Sequence, residues 1–115
     1  MPNDCWNYLT ITADKEQITQ LLENEFKEHT QDTFRVLKRG VEAVHCKVWS
    51  AWHPDFAWLE TLLTKYTSCW VKNVWLVEDG EAGVWIGTAR KGKVEIRSLD
   101  WEEMSIEEEM YRYRV

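Results

Sequence analysis

A chain of 115 residues, 44% hydrophobic and 30% charged, has room for one core and no second domain. No apolar run approaches the roughly 20 residues that span a bilayer, and MPNDCWNYLT lacks the basic-then-apolar pattern of a secretory signal, so a reducing cytoplasm is the expected location and no membrane is expected as a partner. The net charge of -6 is uneven: residues 33–99 hold ten basic and seven acidic side chains, whereas the rest hold four and thirteen, a balance that counts against binding a nucleic-acid duplex from the acidic side.

Taken in chain order, Tyr8 to Ala13 alternates apolar and polar residues and predicts a half-buried strand with Leu9 and Ile11 inward. Asp14, with Gln17 three residues on, has the spacing of a capping box, and Ile18, Leu21, Leu22 and Phe26 follow as the apolar stripe of a first helix that frays near His29. Phe34 to Leu37 and Val41 to Trp49 read as a strand pair or one long interrupted strand, broken at Arg39-Gly40, with Val44, Cys46 and Val48 alternating against His45, Lys47 and Trp49. His53-Pro54 opens a second helix whose core face is Leu59, Leu62, Leu63 and Tyr66. Trp70 to Val77 is the next strand. Asp79-Gly80 turns it into a strand from Ala82 to Ala89, and Arg90-Lys91-Gly92-Lys93 leads into Val94 to Leu99. The expected core also takes in Val74, Leu76, Val84 and Ile86.

This order predicts an α+β fold: a ferredoxin-like sandwich over residues 1–101, with two helices on one face of an antiparallel sheet. Residues 102–115 form an acidic carboxy-terminal segment, packed on the domain or extending from it. The period of two assigns Tyr8, Thr10, Thr12, His45, Lys47, Trp49, Asn73, Trp75, Val77 and Trp85 to the uncovered face of the sheet. Such a face is normally polar, and this one is rich in aromatics. Tryptophan is abundant throughout this part of the chain: six of the eight fall between Trp49 and Trp85.

The amino-terminal PNDCWNYLTIT resembles the Pro-Asn-x-Cys-x-Asn-x-Leu-x-Ile start of the phage and plasmid proteins related to YubB. Trp52 before His53-Pro54, the helix from Trp58 to Tyr66, and Glu78 with Gly83-Val84-Trp85 fall where that family has a Trp-Ser-Pro-Pro-like helix start and an acidic turn before a Gly-x-aromatic strand. Asp4 departs from it, standing where the family usually has Trp. The resemblance implies a ferredoxin-like domain, a mobile-element origin and a small accessory protein, and carries no catalytic residues with it.

Catalytic and metal constellations are weak. His45 and Cys46 are strand neighbours that point to opposite faces, the three histidines match no zinc spacing, and Cys5, Cys46 and Cys69 form no CxxC. The glycines of GEAGVWIG and RKGK lack phosphate-loop order and suit turns and bulges. No enzyme activity, cofactor or metal is expected.

Two binding readings remain. The first is a non-enzymatic protein-interaction module, an inhibitor of a host defence system or host enzyme. It would contact a basic, host-encoded protein through the aromatics Tyr8, Trp49, Trp75 and Trp85 or the acids Glu102, Glu103, Glu107, Glu108 and Glu109. The second is a single-stranded nucleic-acid binder that stacks bases on the same aromatics while Lys47, Arg90, Lys91 and Lys93 hold phosphates. The aromatic face could also be covered by the tail, whose Tyr111 and Tyr113 alternate as in a strand, or by a second copy of the chain in a homodimer.

Overall fold

A computed structural model describes residues 3–103, 105 and 106. The elements are β1 (Asp4–Thr12), α1 (Lys15–Asn24), β2 (Phe34–Arg39), β3 (Ala43–Ala51), α2 (Phe56–Lys65), β4 (Trp70–Val77), β5 (Ala82–Thr88) and β6 (Glu95–Asp100). The strands form one antiparallel sheet in the order β2-β3-β1-β4-β5-β6, so the fold is an α+β sandwich of sheet and helices. Tyr111, Tyr113 and the acids Glu107, Glu108 and Glu109 lie outside the described residues.

Both helices cover the same face. Ile18 and Leu21 of α1, and Leu59, Leu62 and Leu63 of α2, share one buried cluster with Leu9, Ile11, Val44, Cys46, Val48, Val71 and Trp85 of the sheet. Burial of the Leu, Ile and Val side chains among them, each contributing about 1.5 to 3 kcal/mol, helps hold the two layers together. Asp14 sits at the N-cap of α1 as its spacing predicts, but its side chain makes no capping bond. Ser68 intervenes: its Oγ accepts the Asp14 N–H, and both its N–H and its hydroxyl donate to Gln17 Oε1. The capping pair is thereby split across a tertiary contact. In α2 the cap is local, Asp55 Oδ1 accepting the Trp58 N–H.

The β4–β5 turn uses Gly80 at a φ of 101°, the left-handed conformation that Asp-Gly predicts. Two other glycines make room for indoles. A Cβ on Gly83 would lie 2.8 Å from the Trp75 ring, and one on Gly87 would lie 2.6 Å from the Trp85 ring and 2.7 Å from Leu63 Cδ1. After β6 the chain turns helical at once. Asp100 and Glu103 exchange bonds, Asp100 N–H to Glu103 Oε2 at 3.1 Å and Glu103 N–H to Asp100 Oδ1 at 2.8 Å, the reciprocal pattern of a capping box.

Candidate functional site

The uncovered face of the sheet is where the sequence places its aromatics, and the register decides which of them are there. On β1, burial alternates so that Cys5, Asn7, Leu9 and Ile11 lie under the helices while Trp6, Tyr8, Thr10 and Thr12 lie half-buried on the open face. Pairing carries this parity outward. Trp6 pairs with Trp49 and Leu76, Tyr8 with Lys47 and Val74, and Thr10 with His45 and Lys72. Tyr8 and Trp49 therefore belong to the open face as expected, together with Lys47 and His45.

Trp75 and Trp85 do not. Trp75 pairs with Asn7 and Trp85 with Asn73, which turns both indoles to the helix-covered side. Trp85 is 2% exposed and belongs to the core, and Trp75 meets Phe56 of α2 edge-on at 6.5 Å. Asn73 and Val77 are likewise buried under the helices, and the expected core residues Val74 and Ile86 are only half-buried, with Leu76 at 52% exposure on the open face. The physical reason lies in Asn73. An asparagine in a strand suggests solvent, but this one is buried and donates from Nδ2 to Asn7 Oδ1 at 2.8 Å. Reading Asn73 as solvent-facing inverts the parity of β4, and the paired Trp85 inherits the error through the ladder.

Trp6 completes the set. Its place beside Tyr8 on alternate positions of β1 is the sequence signal that finds it. Lys47 Nζ lies 4.3 Å from the Trp6 ring centroid and 5.8 Å from that of Tyr8, a cation held over two aromatic faces. Trp49 Nε1 donates to Asp4 Oδ1 at 2.7 Å, fixing its indole at the rim. Arg35 stands opposite Lys47 and Lys38 opposite His45 on the β2 edge, while Lys72 lies on β4. Arg90 guanidinium donates to Thr12 Oγ1 and to the Ser68 carbonyl, so it clamps the end of the sheet. The acids brought to this face by the ladder are Asp4, engaged by Trp49, and Glu95 on β6. Glu102 and Glu103 are exposed beyond β6 and do not adjoin Tyr8 and Trp49 in the ladder.

The three cysteines are free and buried, and burial pushes the Cys46 thiol up to about 12 and that of Cys69 to about 11. Cys5 is raised in the same way. Such thiols are held in the protonated, unreactive form. Among the described residues no cluster of three or more His, Cys, Asp or Glu side chains could hold a metal, and no helix is long and apolar enough to cross a membrane.

Comparison with protein-family models, with curated proteins and with solved structures returned no match for this chain.

Proposed function

We propose that the open sheet face binds single-stranded nucleic acid. The observation that carries this reading is the segregation of charge: Trp6, Tyr8 and Trp49 share one face with Arg35, Lys38, Lys47 and Lys72, while α1 with its Glu16 and Glu23 lies behind the sheet. A net charge of -6 is then no obstacle, because a strand on the open face meets the cationic side of the molecule. Bases stack on the aromatic rings and phosphates lie along the β2–β3 edge, a division of labour that tolerates any sequence. The strand order β2-β3-β1-β4 supports reading the core as ferredoxin-like with an added β5–β6 hairpin, and PNDCWNYLTIT supports kinship with the YubB-related proteins of phages and plasmids.

Fluorescence anisotropy of labelled single-stranded DNA and RNA, with a duplex as control, tests this. If four cations engage phosphate, the slope of log affinity against log salt is about -3 for a single strand. Trp6→Ala and Tyr8→Ala each lose about 1 to 3 kcal/mol of binding while thermal unfolding stays near that of the parent protein. Equal affinity in these variants, or a stronger grip on duplex than on single strands, rejects the proposal.

The exposure of Glu102 and Glu103 favours a second reading, an acidic surface for a basic protein partner, distinct from the sheet face. Charge reversal at these two positions leaves nucleic-acid affinity unchanged and abolishes capture of such a partner.

A further inference from the structure

On the covered side of the sheet, with Trp49 among its lining residues, a cleft of about 670 Å³ opens between the C-terminal end of α1 and the N-terminal end of α2. That volume suits a small molecule. The floor is formed by β1, β3 and β4 and contains a directional chain of hydrogen bonds. Asn73 Nδ2 donates to Asn7 Oδ1, Asn7 Nδ2 donates to the Val48 carbonyl and to Ser50 Oγ, and Ser50 Oγ donates to the His53 carbonyl. These bonds fix the orientation of both carboxamides. They leave Asn73 Oδ1, on a side chain only 1% exposed, as a buried acceptor with no donor. An orphaned amide oxygen in such a place costs on the order of 1 to 3 kcal/mol, a cost that a donor entering the cleft removes.

The rest of the lining favours a donor that carries positive charge. Glu25 is answered within the protein, its Oε1 by Trp58 Nε1–H and its Oε2 by the Tyr66 hydroxyl and Lys65. Glu28 and Asp55 remain on the walls against Lys27, the one Lys or Arg among the lining residues. The last turn of α1, which ends here, has no basic residue to offset the negative end of its dipole. The N-terminus of α2 also faces the cleft, but Asp55 already occupies its Trp58 amide, so the positive end is capped by a carboxylate. Surplus acceptors and carboxylates repel phosphate and attract N–H cations.

We propose that this cleft binds a small organic cation, an alkylammonium or alkylguanidinium, with its N–H group on Asn73 Oδ1, its charge near Asp55 and its stem against Trp58. The site is independent of the sheet-face reading and stands if that reading fails.

Titration of the ¹⁵N-labelled protein with butylammonium and butylguanidinium, and with uncharged pentanol, tests it by amide and indole cross-peaks. Both cations shift the Asn73 side-chain and Trp58 Nε1 peaks saturably, and pentanol binds at least about tenfold more weakly, as expected when a charge-assisted bond is lost. Asn73→Leu weakens the cations by roughly tenfold or more and Asp55→Asn, which keeps its capping oxygen, by a smaller factor, whereas Trp6→Ala has no effect. Equal binding of pentanol, or no shift with either cation, overturns the proposal. Should Asn73→Leu fail to fold, Asp55→Asn decides: unchanged cation affinity in that variant overturns it as well.

Discussion

The two faces of this one sheet are built from the same strands and behave differently. Under the helices, alternate residues of β1 and β3 are buried almost completely, and the buried Asn7 of β1 bonds to the buried Asn73 of β4. On the open face the alternate residues of the same strands stop at half-burial, with Lys47 lying across Trp6 and Tyr8. The difference teaches that an aromatic in this chain is identified as core or surface by its strand parity and not by its residue type. Trp85 and Trp6 make the point: both are strand tryptophans, and one is sealed against Leu63 and Gly87 while the other shares its face with lysines.

Substitution of these two indoles is the sharpest way to break the comparison. Trp85→Ala empties a site in the core and lowers stability by about 3 to 5 kcal/mol, whereas Trp6→Ala, at a half-buried position on the open face, lowers it by only about 1 kcal/mol. Urea unfolding followed by circular dichroism reads both. Comparable losses in the two variants would show that the open face is covered in solution, by the tail or by a second copy of the chain.

A smaller effect on the same side is expected of Gly87→Ala. The new methyl meets Trp85 and Leu63 at under 3 Å, and the crowding lowers stability by about 1 to 3 kcal/mol, as overpacking does. Combining it with Trp85→Phe removes part of the clash, so the double variant is more stable than the sum of the single effects predicts. Additivity would mean that the indole is not what crowds Gly87.

How far the sequence led follows from the same contrast. Periodicity located the later elements closely, β4 to the residue, because turn signals such as Asp79-Gly80 and the Pro54 helix start bracket them, whereas β1 begins at Asp4, four residues before the expected Tyr8. Parity on β1 and β3 was legible too, since Leu9, Ile11, Val44 and Val48 alternate with polar neighbours. On β4 it was not: Trp70, Val71, Val74, Trp75, Leu76 and Val77 put apolar residues at both parities, and Lys72 and Asn73, adjacent in sequence, compete for the solvent side. The long Lys72 side chain wins the open face because a lysine cannot be buried without a partner, while an asparagine can pair with another amide. The cleft was beyond reach. It depends on Asn7 and Asn73 meeting across 66 positions of sequence, and neither residue alone carries a motif.

Raising pH sharpens the contrast from the covered side. Cys46 and Cys69 have folded values of about 12 and about 11 against an ordinary 9.0, and burial together with the neighbouring Glu25 lifts Tyr66 to about 12 from 10.0. A raised value means that the folded chain keeps protons which the unfolded chain releases. Their contribution is therefore intact below pH 9 and is lost as pH rises through the folded values, so the urea midpoint is flat near neutrality and falls above about pH 9. Thiol titration by a soluble disulfide reagent gives the independent check. Native protein at pH 8 reacts far more slowly than urea-unfolded protein at all three cysteines, and rapid native labelling would place a thiol outside the core.

The smallest effect belongs to the end of β6, where the chain leaves the sheet. Asp100 and Glu103 cap each other's amide groups, so Asp100→Ala and Glu103→Ala each remove one bond from the start of the helical turn at 101–103. At an exposed site such a bond contributes about 0.5 to 1 kcal/mol, enough to loosen the turn and too little to unfold the sheet. Hydrogen exchange reads this directly. Asp100→Ala speeds exchange at the Glu103 amide and Glu103→Ala at the Asp100 amide, while Leu9, Ile11 and Val71 in the central strands keep parental protection, since local opening there does not pass through the core. If Asp100→Ala also deprotects the central strands, the turn is part of the cooperative fold, and the acidic residues 102 and 103 cannot be treated as a surface separable from the sheet.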